Sequence, residues 1–223
     1  MCIRDRSISK ILLIIAVPFL IFLIMLNFYG FDNNFYKEKF SEYGVNHNVP
    51  NADSLHEKVI NFIKGESNGL PNEFNERERQ HLLDVKKISD ISRIALYVLI
   101  ILFALLLMAS VFILKVNNYV INFVGKVLLF GGILTIALAV ILFFLINSDF
   151  SSAFESFHKL FFKEGSYTFD PAKEVIVNIY PEQLFMDLGI KISKGVIAAS
   201  AILVLAGAFL LLRSKSKKNK KIR

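Results

Sequence analysis

Cysteine occurs once in the 223 residues, as Cys2, and no acidic residue interrupts any of the four longest apolar runs. A single cysteine offers no disulfide framework and no thiol chemistry elsewhere in the chain. It also lies in the prefix Met1–Arg6 (MCIRDR), which resembles translated adaptor sequence. The true start is therefore expected near Ser7 or is missing, and Cys2 supports no redox, metal or lipidation reading. There is no HExxH for zinc, no GxSxG elbow for a serine nucleophile and no Walker loop for nucleotide phosphates. Apart from Lys126 at the start of the third, the apolar runs hold Asn27, Ser110, Thr135 and Ser200 as polar side chains. A pump or transporter needs ionisable groups or broken helices at mid-membrane, so transport is disfavoured. Gly131-Gly132 reads more simply as a point of close helix packing.

What is present is a chain of two characters. The residues are 54% hydrophobic and 20% charged, with a mean hydropathy of +0.52. That mixture arises when apolar segments alternate with polar loops. Apolar runs at 11–29, 94–114, 124–146 and 196–212 approach the roughly 20 helical residues that span a bilayer core about 30 Å thick. Lys126 opens the third run, where its stem can snorkel to the interface. The first run is too long for a signal-peptide core and ends in Asn27-Phe28-Tyr29, so it reads as an uncleaved anchor. The expected fold is all-α: one integral membrane domain over 1–223, a four-helix bundle with two long outer loops, 30–93 and 147–195.

Orientation follows from charge. The tail 213–223 carries Arg213, Lys215, Lys217, Lys218, Lys220, Lys221 and Arg223 and no acid, and the short link between the second and third runs carries Lys115 and Lys126 without acids. The first long loop holds eleven acids to nine bases and the second seven to five. Basic residues stay on the cytoplasmic side. Both termini are thus expected in the cytoplasm of a multi-pass cell-membrane protein, with the long loops outside. The net charge of +7 is then no sign of nucleic acid, because a polybasic stretch directly after a membrane helix suits anionic lipid heads.

The loops contain short amphipathic helices suited to the interface. Gly65 to Pro71 forms a turn-rich break, and Asn72 or Asn75 can cap a helix from Glu76 to about Ile91, with Leu82, Val85, Ile88 and Ile91 along one band, that lies at the interface or runs into the second membrane helix. In the second loop Ser148 or Asp149 can cap a helix on which Phe150, Phe154, Phe157 and Phe161 recur at helical spacing. Val175–Ile179 reads as an extended apolar piece, and Pro181 as the first turn of a further helix. All four histidines, His47, His56, His81 and His158, lie in these loops. His47 and His56 fall in a hydrophilic stretch and read as ordinary polar residues. His81 has Glu78 and Asp84 three residues to either side, and His158 has Glu155 one turn earlier. A histidine held by a carboxylate has a defined tautomer and can act as a base near neutral pH. The residues alone leave two readings open, satisfied surface groups or an acid–base pair. No ligand-pair spacing supports zinc, and no metal or cofactor is expected.

A resemblance bears on that choice. The stretch Phe74-Asn75-Glu76-Arg77-Glu78-Arg79-Gln80-His81-Leu82-Leu83-Asp84-Val85-Lys86 resembles the "RE..H..DVK" segment of the Lit family, the lipoprotein intramolecular transacylases. Phe157-His158-Lys159-Leu160-Phe161-Phe162, Tyr167-Thr168-Phe169-Asp170-Pro171 and Tyr180-Pro181-Glu182-Gln183-Leu184-Phe185 resemble the "FH..FF…W.FDP…PE..F" run of the same family, with Tyr167 in place of Trp. The resemblance implies a four-helix membrane acyltransferase acting on a lipoprotein. It would move an acyl chain from the diacylglyceryl group on the N-terminal cysteine to that cysteine's α-amine, leaving an N-acyl lyso-form. His81 and His158 would be catalytic, with His158 as base and His81 as donor, and Glu78, Asp84 or Glu155 would orient the rings. The competing readings are a non-enzymatic scaffold or lipoprotein-binding protein, or an enzyme for another lipid ester.

Overall fold

In this computed structural model the described residues are 3–114, 117–163 and 165–220. Met1 and Cys2 of the prefix, Lys115 of the link and Lys221 and Arg223 of the tail lie outside them. The elements are α1 (Ile3–Tyr29), α2 (Asn33–Glu42), α3 (Val45–Asn48), α4 (Ala52–Lys64), α5 (Glu76–Leu114), α6 (Asn117–Ser148), α7 (Phe150–Phe161), α8 (Ile176–Ile179) and α9 (Glu182–Lys220). No strand occurs among the described residues. Helices α1, α5, α6 and α9 are long and apolar enough to cross a membrane.

Contacts divide the chain into two compact units. The first comprises Met1–Leu26, Ala95–Phe143 and Ile192–Arg223. Its outward side chains are apolar, among them Phe19, Leu105, Phe112, Ile141 and Leu205, as a lipid-facing surface requires. Lipid gives no hydrophobic drive to bring helices together, so close backbone approach supplies the packing. Glycines create that approach. A Cβ on Gly131 would lie 2.7 Å from Val17 Cγ2, and one on Gly207 only 2.5 Å from the Leu129 backbone nitrogen. Three of its hydroxyls are satisfied within their own helices, those of Ser110, Thr135 and Ser200 donating to the carbonyls of Leu106, Gly131 and Val196, and Ser214 of α9 donates to the Asn118 carbonyl of α6.

The second unit, Asn27–Ile94 and Phe144–Lys191, packs like a small water-soluble domain. Leu55, Val59, Ile60 and Ile63 recur along one side of α4 and are buried with Phe35, Tyr36 and Phe40 of α2, Phe74, Ile176, Ile179 and Leu184. The last carbonyls of α4 are taken up by α5: Lys86 Nζ donates to Phe62 at 2.7 Å, and Arg93 reaches Ile63 and Lys64 at 3.0 and 3.1 Å. Cations at a helix C-terminus also oppose its negative dipole end. Ion pairs Lys39–Asp187 and Asp32–Lys191, at 2.6 and 2.7 Å, join α2 to the start of α9.

Of the two expectations for the helix that begins at Glu76, the structure shows the second: it runs unbroken into the membrane-length helix, to Leu114, since no glycine, proline or cap intervenes after His81. One local expectation is corrected. The piece expected to be extended at Val175–Ile179 is instead the helical turn α8, with the Asn178 and Ile179 amides donating to the Val175 carbonyl.

Candidate active site

The two histidines that stood out in sequence are brought together within the second unit. Helix α5 starts with a reciprocal cap. Asn75 Oδ1 accepts the amides of Arg77 and Glu78, and Glu78 Oε2 accepts the Asn75 amide at 2.7 Å. His81 follows, with Leu82 buried beside it. Helix α7 begins at Asp149, whose carboxylate accepts the Ser152 amide at 3.0 Å, and carries His158 near its end. The rings of His81 and His158 are stacked with centroids 6.2 Å apart and planes 17° apart.

Aromatic rings wall the pair. Phe162 lies 4.7 Å from His81 and 5.3 Å from His158, Phe169 meets His81 edge-on at 5.3 Å, and Phe154 and Tyr167 lie 4.3 and 5.0 Å from His158. His81 is 8% exposed and its Nδ1 has no hydrogen-bond partner among the described residues. Burial, helped by the neighbouring His158 and opposed by Asp84, lowers its pKa to about 4, so its imidazole is neutral at physiological pH. His158 Nδ1 lies 2.8 Å from the Phe154 carbonyl. A carbonyl only accepts, so Nδ1 carries the proton and Nε2 presents a lone pair.

None of the three carboxylates orients a ring. Glu78 is fully buried, but its oxygens serve the Asn75 amide and, at 2.7 Å, the Ile176 amide; a carboxylate in the first turn of a helix is drawn to the free N–H groups there. Asp84 pairs with Lys87 at 2.8 Å, and Glu155 with Lys159 at 2.7 Å on a solvated face. The tautomer of His158 is set instead by its own helix.

His56, in a stretch that reads as hydrophilic, is 1% exposed, against the rings of Tyr36, Phe40 and Tyr180. The apolar spacing of Leu55, Val59 and Ile60 around it was the available signal. His47 remains exposed. Among the described residues no three His, Cys, Asp or Glu side chains form a group that could hold a metal ion.

Membrane-length helices joined to a compact helical unit define the class, an all-α integral membrane protein. The family model described as "Lipoprotein intramolecular transacylase Lit" matches residues 11–185, and the chain belongs to that family. It is thus an acyltransferase that works on lipoproteins. A solved structure of the membrane-integral lipoprotein intramolecular transacylase Lit from Bacillus cereus is similar in fold, with a TM-score of 0.81 and 21% identity over 96% of this chain and 99% of that one. Two structures of the same Bacillus cereus protein, with one histidine changed to arginine or to alanine, match at a TM-score of 0.78 and 21% identity over 96% of this chain and 95% or 96% of theirs. Among curated proteins no sequence match is found.

Proposed function

We propose that His158 is the general base and His81 the hydrogen-bond donor of an acyl transfer within one lipoprotein molecule. The observation that carries the assignment is the tautomer of His158: with its Nδ1 proton committed to the Phe154 carbonyl, Nε2 is free to accept a proton, 6.2 Å (ring to ring) from a second imidazole. An α-ammonium, with a pKa of about 8, must lose a proton before it can attack. His158 Nε2 takes that proton. The amine nitrogen adds to the ester carbonyl carbon, a C–N bond forms, and the C–O bond to the glycerol breaks. That first proton passes to solvent; as the C–N bond forms, His158 Nε2 takes a second proton from the nitrogen and returns it to the departing glycerol oxygen, so an ammonium and an ester become an amide with one N–H, an alcohol and one released proton.

His81 suits the complementary task. A buried N–H without an acceptor is rarer in proteins than an under-used acceptor, which puts its proton on Nε2 and leaves Nδ1 bare. A neutral imidazole N–H can then stabilise the oxyanion as charge develops on the ester oxygen. Donor and acceptor groups belong to one substrate, so the chief gain comes from holding them in a reactive geometry.

The reading extends to the membrane. The diacylglyceryl-modified N-terminus would approach from the outer leaflet, beside the exposed Phe157, Leu160 and Phe161 of α7, which would part the lipids and admit acyl chains laterally. The positive-inside rule keeps both termini in the cytoplasm, and the basic tail, helical to Lys220, would rest on anionic lipid heads. The test is expression in a host with diacylglyceryl lipoproteins and mass spectrometry of the lipoprotein N-terminus. The wild type should yield the N-acyl lyso-form. His158→Ala and His81→Ala should each lower transfer by roughly 10²–10⁴-fold; wild-type transfer in either variant would defeat the assignment.

A further inference from the structure

Between α7 and α8 the described residues 165–175 have little regular structure, and one side chain from α5 grips them. The Arg77 guanidinium pairs with Glu174 at 3.2 Å and donates to the carbonyls of Gly165 and Thr168. Those two carbonyls bracket Tyr167, the residue against His158. The same guanidinium lies 5.1 Å over the ring of Phe169, which meets His81 edge-on. Glu174 is itself buried and accepts the Asp170 amide at 2.6 Å, closing the turn that follows. A planar fork with several donors can hold an ion pair, two carbonyls and an aromatic face together; an ammonium cannot.

We propose that Arg77 is a positioning residue for acyl transfer: it fixes the 165–174 segment so that Tyr167 faces His158 and Phe169 covers His81. The proposal rests on the histidine assignment above and adds a residue that touches neither imidazole. Arg77 sets the walls of the site rather than the chemistry, so its loss leaves substrate binding nearly intact while misplacing the reacting groups.

The experiment uses the full chain in detergent with a synthetic diacylglyceryl lipopeptide. Arg77→Met is expected to lower kcat by about 10–100-fold with KM little changed, and Arg77→Lys to fall between it and wild type. His81 should also react several-fold faster with diethyl pyrocarbonate in Arg77→Met, read by peptide mass spectrometry, because the Phe169 cover is released. A folded Arg77→Met with wild-type kcat and wild-type His81 reactivity overturns the proposal. Should Arg77→Met fail to fold, Phe169→Leu removes the ring that links Arg77 to His81. It must then reproduce both the kcat loss and the faster His81 modification, and failure on either count overturns the proposal. His81→Ala and His158→Ala are run alongside. If they abolish transfer while Arg77→Met behaves as wild type, only the Arg77 proposal falls; if they retain transfer, the histidine assignment falls and takes the Arg77 proposal with it.

Discussion

Nδ1 of His56 lies 3.0 Å from the Tyr180 hydroxyl, a contact made across 124 positions of sequence. From Tyr180 the packing runs through Phe185 to Phe154, and Phe154 touches His158. The buried histidine of α4 and the proposed base on α7 are thus ends of one aromatic chain.

That burial makes folding sensitive to acid. Burial, with Lys37 nearby, lowers the His56 pKa to about 4, and burial next to His158 lowers His81 to about 4 despite Asp84. In the unfolded chain both take up protons near pH 6.5. Between those values the unfolded state binds more protons, so stability is full above about pH 6.5 and is lost as pH falls toward 4. Each group accounts for about 3 kcal/mol over that window. The melting temperature in mild detergent should drop through this range, and less steeply in His56→Phe. A wild-type melting temperature that stays flat from pH 7 to about 4 would rule this out.

Glu78 should prove a residue of the fold. Its two oxygens each accept a buried or half-buried amide, from Asn75 and from Ile176. A glutamine keeps one acceptor and turns a donor toward the other N–H. Glu78→Gln is expected to cost about 2–3 kcal/mol and Glu78→Ala more, by denaturant titration in detergent. Unchanged stability in Glu78→Gln would show that the second amide does not depend on it.

Gly207 tests the membrane-spanning unit. A methyl group there would meet the backbone of Leu129 and Gly125 at 2.5 and 2.8 Å, and backbone cannot swing aside as a side chain can. Gly207→Ala is expected to lose roughly 1–3 kcal/mol, whereas Gly69→Ala, with nothing within 4 Å, should stay within about 0.5 kcal/mol. Equal thermal stability of the two variants would remove glycine packing as a determinant.

Orientation can be read by labelling. In a Cys2→Ser background, Asn68→Cys should react with a membrane-impermeant maleimide on intact cells, and Ser216→Cys only after permeabilisation. Both positions are exposed. The opposite pattern would invert the proposed topology.

Local signals carried much of this structure. The length of the apolar runs placed helices around 11–29, 94–114, 124–146 and 196–212, and the caps at Asn75 and Asp149 and the proline before Glu182 marked helix starts within a few residues of where they lie. The stacking of His81 on His158 was approached through the helical faces that carry them. What sequence left hidden depends on partners far along the chain. Glu78 sits three residues from His81, which suggested a local pair, but its distant partner is 98 positions away at Ile176. The apolar spacing of Leu55, Val59 and Ile60 marks the buried face that holds His56, but its aromatic neighbours come from α2 and from Tyr180, and no local pattern records that convergence. The turn at α8 likewise follows a backbone amide docking onto Glu78, not any preference of its β-branched residues, which favour strands.

The hydrogen bond from His158 to the Phe154 carbonyl lies wholly within α7, a helix in which no residue is buried. The proton arrangement of His158 therefore travels with the helix. If α7 tilts away to let two acyl chains pass, the imidazole leaves and returns in the same tautomer, and only its ring contacts with Tyr167 and His81 are remade. Because a moving α7 would carry with it the bond that sets its own tautomer, one helix could act as both doorway and base.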